Sequence, residues 1–480
     1  MAVPSTAFSF ALYHAGLTPL VSLTAKNSGA VSRPPSRASV RLDSPPGEWR
    51  IAIPELQPGE EVELTVEVAQ VDRDGLERIT QPQSAELVLE LGSDRARAPL
   101  VLLSAWQWPV FPEALPALAA FVLKHDGIVR ALVSESMLLE RSAGQGPQGA
   151  GESRSLPERV AARLERLYRH LAETYAISYA EPLVTRHPSG AMYQDLRPPH
   201  RILYDRRDCL GEGTCIDLTL LLAGCLEGMG LAPLIFLNCD AGGTPAHAFL
   251  GVWCQSHGRL RPIVRDPVVL ERAVSQGDLL LIETTGVCAG GRRLEFEQAI
   301  SEARGHLTTG EMLVALDVAA LRPPNGRVLP METPLEPVVL RAHAEVAALG
   351  ERLGNPMFET LHLLYGLIRA GGEVTCRVLA ESGVSAPRVV EEVERILSQR
   401  RKDRPRGRTV GYDRCVSDAA ETARSEGSTV VRECDLWWAI LWSRSGAVRE
   451  ALEAAGCPQA DLVPALDRIC PHSRRTTTIA

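Results

Sequence analysis

The sequence predicts a multidomain α+β chain: an N-terminal β-sandwich over 1–104, a central α+β domain over 105–330 and a C-terminal all-α repeat domain over 331–475. Three observations lead there. Short alternating runs broken by Pro, Gly and Asp fill the N-terminal region, one apolar helix followed by two apolar strands occupies the middle, and the last third repeats itself. A chain of 480 residues gives each part enough length for a core of its own.

In the first region, alternation at Val21–Thr24, Ser39–Leu42, Trp49–Ile53, Glu61–Ala69 and Ala85–Leu91 reads as short antiparallel strands. The run LQPGEEVELTVEVAQVD (56–72) resembles the later strands of immunoglobulin-like accessory domains. No catalytic constellation occurs here, so this part is expected to support or dock. AWQWPVFPEALPALAAFVL (105–123) then opens the central region, with Trp106 and Trp108 as core anchors rather than ligand-stacking rings. A Gly-, Gln- and Ser-rich loop follows over Ser142–Ser155. Beyond it, Val160, Leu164, Leu167 and Leu171 recur at helical spacing and give Leu156–Thr174 one buried face.

Residues 211–253, GEGTCIDLTLLLAGCLEGMGLAPLIFLNCDAGGTPAHAFLGVW, carry the most chemistry. Cys215 opens an apolar helix, a strand follows, and His247 begins a second strand. Thr214 is placed to cap the helix, and the unpaired N–H groups of its first turn favour thiolate over thiol. An imidazole brought alongside could take the proton. Gly211 and Gly213 would let the backbone approach closely before Cys215. Two blander readings compete. A cysteine on an apolar helix is usually packing, as the other cysteines, Cys225 and Cys239 among them, are expected to be. Alternatively, Cys209, Cys215, Cys239 and His247 could gather around zinc, but no C-x-x-C or H-x-x-x-H spacing holds two ligands on one turn.

The pattern GTC-x-D-L, a buried helix and then H-A-F-x-G-V-W resembles the transglutaminase-like fold of papain-type cysteine enzymes. That resemblance implies a catalytic Cys215 and His247, an acid on the strand after the histidine strand, and neither cofactor nor metal. Two residues compete for the acid. Glu283 ends the apolar run LLLIETT (279–285), and Asp266 in IVRDP lies closer to the usual distance from the histidine. Glu283 is preferred, because a helical segment over Val268–Ser275 reads as an insertion between strands, leaving 279–283 to pair with 247–253. An acid there would fix the imidazole tautomer and stabilise the imidazolium. The order of segments from about 8 to 330 further resembles the N-terminal region of large bacterial proteins that continue into a superfamily 1 helicase. No G-x-x-x-x-G-K-[ST] loop occurs, so the resemblance carries over the fold and the triad, and not ATP or DNA.

In the last third, 362–397 aligns with 435–469, each copy preceded by a helix (338–353 and 413–427). Leu363 matches Leu436, Leu367 matches Ile440, Val378 matches Ala451 and Leu379 matches Leu452, which predicts a pseudo-twofold helical domain. AALGERLG, FETLHLLYGLIR and RVLAESGV resemble the N-terminal domain of Clp-type unfoldases, with ECDLWWAILW a more diverged second copy. The resemblance implies binding of a protein substrate or adaptor without catalytic residues. Trp437, Trp438 and Trp442 could line a groove, but their spacing along one short helix favours core with one face exposed.

Net charge of −8 argues against nonspecific binding of nucleic acid or an anionic membrane. The local cluster Arg400, Arg401, Lys402, Arg404, Arg406 and Arg408, broken by Pro405 and Gly407, reads as a solvated linker. Eleven cysteines without framework spacing, no signal-peptide pattern at the N-terminus and no bilayer-length apolar run point to the reducing cytoplasm. The expectation is a cysteine protease or related hydrolase acting on amide bonds of a recruited protein. The alternative is a non-catalytic adaptor built on a degenerate version of the same fold.

Overall fold

A computed structural model of the chain defines residues 6–15, 23–64, 66–92, 94–142, 155–203, 211–240, 245–254, 261–308, 312–322, 335–354, 357–400, 407–426, 428, 430–443 and 445–471. Cys209, most of the Ser142–Ser155 loop, and Arg401, Lys402, Arg404 and Arg406 of the basic cluster lie outside the described residues. The chain divides into two compact units: 1–124 with 155–205 and 210–329, and 125–154 with 206–209 and 330–480. Residues 125–154 fall within the sequence region assigned to the central domain but group with the C-terminal helices.

The first unit begins with β1 (Thr6–Ser9), α1 (Phe10–His14), β2 (Leu23–Lys26), β3 (Ser36–Asp43), β4 (Pro46–Ile53), β5 (Glu61–Leu64), β6 (Val66–Val71), α2 (Arg73–Glu77), β7 (Gln83–Leu91) and β8 (Asp94–Leu103). Among the described residues these strands form a six-stranded sheet, β1-β8-β7-β3-β4-β6, and a two-stranded β2–β5 ribbon. Alternation builds the sheet: Ala38, Val40 and Leu42 point inward from β3, and Trp49, Ile51 and Ile53 from β4. Val40 and Trp49 are cross-strand partners, and Phe8 packs edge-on against Trp49 at 5.6 Å between ring centroids. The expected all-antiparallel order is corrected at one edge, where β1 runs parallel to β8. Ala7, Phe8 and Ser9 are all buried, so β1 is covered on both sides and shows no alternation for a sequence reading to find.

After β9 (Gln107–Pro109), Trp108 is buried and its indole N–H donates to the Ala114 carbonyl at 3.0 Å, whereas Trp106 is half-buried against Phe121. The helix α3 (Gly127–Ser142) belongs to the second unit. The first unit resumes with α4 (Leu156–Thr174), β10 (Ser178–Tyr179), β11 (Val184–Arg186), β12 (Met192–Asp195), α5 (Pro199–Leu203), β13 (Glu212–Gly213) and α6 (Cys215–Gly228). It is completed by β14 (Ala232–Cys239), β15 (Pro245–Trp253), β16 (Ile263–Val264), α7 (Pro267–Ser275), β17 (Leu279–Ile282), α8 (Phe296–Gly305), β18 (Met312–Asp317) and α9 (Val318–Leu321). Among the described residues a five-stranded antiparallel sheet, β16-β18-β14-β15-β17, forms its frame. Leu234, Phe236, Phe249, Trp253, Leu279 and Leu281 pack with Leu270 and Ala273 of α7 and Ala303 of α8. The alternate residues Ile235, Leu237, Leu250 and Val252 are also buried, and α6 packs on β14 and β15 from that other side. Gly251 sits where a Cβ would press on the Phe236 ring, which explains a glycine in the middle of β15.

In the second unit, α10 (Pro337–Leu353), β19 (Met357–Phe358), α11 (Thr360–Ala370), α12 (Glu373–Glu381) and α13 (Ala386–Ser398) form one set. β20 (Gly407–Arg408), α14 (Val410–Ser425), α15 (Glu433–Trp442), α16 (Gly446–Ala454) and α17 (Gln459–Ile469) form the other. The two sets exchange equivalent contacts. β19, which precedes α11, pairs in parallel with β20, which precedes α14; Leu335, before α10, bridges in parallel to Val431, before α15. Helix α12 meets α17, and α13 meets α16. Leu363, Leu367, Val378, Leu379, Leu436, Ile440, Ala451 and Leu452, the positions matched between the copies, are all buried in one core. Trp437 is fully buried, with its indole N–H donating to Thr375 Oγ1 at 2.8 Å. Trp438 is buried too, and half-buried Trp442 stacks on it at 4.9 Å, so the core reading holds for two of the three rings. No described helix is long and apolar enough to cross a membrane.

Candidate active site around Cys215

Helix α6 starts where a capping box stops the extended chain. Thr214 Oγ1 accepts the Asp217 N–H at 3.3 Å, and Asp217 Oδ2 accepts the Thr214 N–H at 3.0 Å and its hydroxyl at 2.9 Å. Asp217 is fully buried and is met by Arg197, whose backbone N–H reaches Oδ1 at 2.8 Å and whose guanidinium reaches Oδ2 at 3.0 Å. The same guanidinium holds Glu212 at 2.8 Å, so the strand entering the site and the first turn of α6 are tied to one cation. Cys215 is therefore the first residue of a rigid, buried helix. Its backbone N–H, at the first position of the helix, has no intrahelical acceptor, as expected there.

The approach to Cys215 is tight. β13 pairs in parallel with β10, and the Ser178 N–H donates to the Gly211 carbonyl at 2.7 Å. A Cβ on Gly211 would overlap the Ile202 carbonyl oxygen and the Leu203 backbone, atoms that cannot swing aside. Gly211→Ala is expected to destabilise the first unit by about 1–3 kcal/mol, as overpacking does, and a denaturant titration with unchanged slope would register it.

His247 lies in β15 opposite Asn238 of β14, and β17 pairs with β15 through Leu250 and Ile282. This brings Glu283, the next residue after β17, to the imidazole: His247 Nε2 and Glu283 Oε2 are 2.7 Å apart. Oε1 of the same carboxylate accepts the Thr285 N–H at 2.9 Å and its hydroxyl at 2.8 Å. With Nε2 engaged by the carboxylate, Nδ1 is the ring nitrogen left for sulfur, and Cys215 lies near enough to His247 to act on its protonation. The turn is closed from behind by Thr219, whose hydroxyl donates to the Cys215 carbonyl at 2.8 Å and lies 2.9 Å from Thr284 Oγ1. Asp266, the other candidate acid, is exposed and caps α7 by accepting the Val268 N–H at 3.0 Å; the carboxylate on His247 is that of Glu283. Cys225 and Cys239 are buried.

The electrostatics follow from this packing. Burial alone would lower the His247 pKa, but its interactions with Cys215 and with Glu283 raise it from 6.5 to about 10. Burial alone would raise that of Glu283, but bonds from His247, His306 and Thr285 hold it down at about 2. The pair is thus an imidazolium and a carboxylate at neutral pH. Burial pushes two other thiols of this unit up, Cys254 to about 11 and Cys288 to about 12.

Two residues here were not anticipated. His306, just after α8, shares Glu283 Oε2 at 3.2 Å, and its ring centroid is 4.8 Å from that of His247. Tyr179 of β10 lies near enough to Cys215 to interact with it, and the Arg292 guanidinium stacks 4.0 Å over its ring. Cys215 and Glu283 are 3% and 1% exposed, while the His247 and His306 side chains are 26% and 23% exposed, so solvent meets the site from the imidazole side.

No family model matches the chain, and no curated protein matches it. Among solved structures, the chain is similar to the Hsp104 N-terminal domain from Candida albicans, at 12% identity over 29% of this chain and 94% of that one, with a TM-score of 0.26. It is likewise similar to the N-terminal domain of the caseinolytic protease associated chaperone ClpD from Arabidopsis thaliana, at 19% identity over 28% of this chain and 93% of that one, with a TM-score of 0.25. Likenesses this partial assign no activity to the chain.

Proposed function

We propose that this chain is a cysteine-dependent enzyme acting on amide bonds of a protein substrate, with Cys215 as nucleophile, His247 as base and Glu283 as the acid that orients it. The observation that carries the reading is the relay of hydrogen bonds from Thr285 through Glu283 to His247, whose imidazole also interacts with Cys215 at the start of α6. A sulfur at a helix start, an imidazole on the adjacent strand and a carboxylate fixed by backbone are the three parts that activation of a thiol needs. The sulfur would attack the carbonyl carbon while the proton held by His247 passes to the departing amine. Water would then release the acyl group, or an amine would take it in a transfer reaction. The resemblance to transglutaminase-like enzymes, which favours hydrolysis, is one of sequence. So is the resemblance to Clp N-terminal domains, from which the helical repeat takes its proposed role of recruiting the substrate or an adaptor.

The competing reading is a protein-binding adaptor with a silent site, and the 3% exposure of Cys215 favours it. A denatured-protein digest incubated with the chain and read by mass spectrometry separates the two. Products that appear with the native chain and vanish with both Cys215→Ala and His247→Ala support the enzyme. The same products from Cys215→Ala would end it.

A further inference from the structure

We propose that His247, His306 and Glu283 form a binding site for a divalent transition-metal ion, zinc in the first place, and that occupancy takes the base away from Cys215. The ligand atoms of these residues all lie within 4.8 Å of one another. The two Nε2 atoms converge on a single oxygen, Glu283 Oε2, at 2.7 and 3.2 Å. Tetrahedral zinc with bonds of about 2.0–2.1 Å to nitrogen and oxygen separates its ligand atoms by roughly 3.3 Å. Both contacts reach that spacing by opening a fraction of an ångström. Two imidazoles and one carboxylate suit zinc and its first-row neighbours, and three protein ligands leave a position for water.

The surroundings fit an ion better than they fit a hydrogen-bonded pair alone. Thr285 pins the far oxygen of Glu283 through its N–H and hydroxyl, which leaves Oε2 directed at the imidazoles. Both histidine side chains are partly open to solvent, a path for a hydrated ion. Asn238, the cross-strand partner of His247 and so on the same face of the sheet, is buried with its Oδ1 unpartnered among the described residues. That oxygen is an acceptor for a metal-bound water. A second imidazole on the acid is also more than a cysteine–histidine–acid chain requires.

The consequence for Cys215 follows from the tautomer. Coordination uses the Nε2 lone pair of His247 and leaves the ring proton on Nδ1, the nitrogen left for sulfur. That nitrogen can then donate to sulfur but cannot take its proton. This consequence rests on the reading of Cys215 as nucleophile; the metal site does not.

The test is titration of the full chain with Zn2+ by calorimetry and with Co2+ by visible absorption, for the native protein, His306→Ala, His306→Gln and Cys215→Ser. His306→Gln keeps an amide that can donate to Glu283, and circular dichroism establishes that each variant is folded. The site predicts saturable binding of one ion with no thiolate-to-metal charge-transfer band. It also predicts at least about ten-fold weaker binding in both His306 variants and retention in Cys215→Ser. Absence of saturable binding, unchanged affinity in His306→Gln, or a thiolate band lost with Cys215→Ser would overturn it. Binding by a chain whose Cys215 proves inert would keep the metal site and remove only the enzyme.

Discussion

Glu283→Ala is expected to destabilise the first unit by about 3–5 kcal/mol, the usual result of removing one partner of a buried ion pair. Its carboxylate accepts from Thr285 twice and meets both His247 and His306, so the change strands an imidazolium and a hydroxyl together. The effect has a pH signature. Glu283 is held below its ordinary value, so its contribution is present above about 4.5 and fades as pH falls towards about 2. His247 is held above its ordinary value, so its contribution is complete below 6.5 and fades as pH rises towards about 10. Both act together between about 4.5 and 6.5, where the native first unit should be most resistant to denaturant. In Glu283→Ala that maximum should flatten. A pH series of urea titrations reads both features, and a variant with an undiminished maximum would show that the pair contributes nothing.

In the second unit the largest expected loss comes from Trp437→Ala, at about 3–5 kcal/mol for an aromatic ring removed from a packed core. Trp437 is completely buried in the core shared by both helix sets, and its indole N–H is spent on Thr375 Oγ1. Deleting the ring leaves a cavity and strands the Thr375 hydroxyl, itself 1% exposed. Trp442→Ala removes a half-buried ring of the same helix and should cost much less. Far-ultraviolet circular dichroism through a denaturant titration distinguishes the two variants. Equal losses would mean that the α15 face is not the centre of this core.

How far the sequence could be read depended on how local each feature is. Thr214, Cys215 and the apolar turns of α6 sit in one continuous segment, so the cap and the helix start were legible. Glu283 was legible because β17 announces itself as an apolar run, and the register Leu250–Ile282 carries the acid to His247. The repeat was legible because the same apolar spacing recurs in both helix sets. His306 and Tyr179 were not. The first follows a short amphipathic helix with no motif around it, and the second comes near Cys215 only because β10 pairs in parallel with β13. The parallel β1–β8 edge escaped for a similar reason, since pairing between distant segments leaves no local period to detect.

The central claim is that His247 activates Cys215, and the pH dependence of iodoacetamide labelling, mapped by peptide mass and repeated with His247→Ala, tests it most directly. The account predicts that Cys215 labels ahead of the other cysteines below neutral pH and that His247→Ala abolishes the preference. Labelling of Cys215 no faster than that of its neighbours, and indifferent to His247, would contradict it and leave the chain as a binding protein.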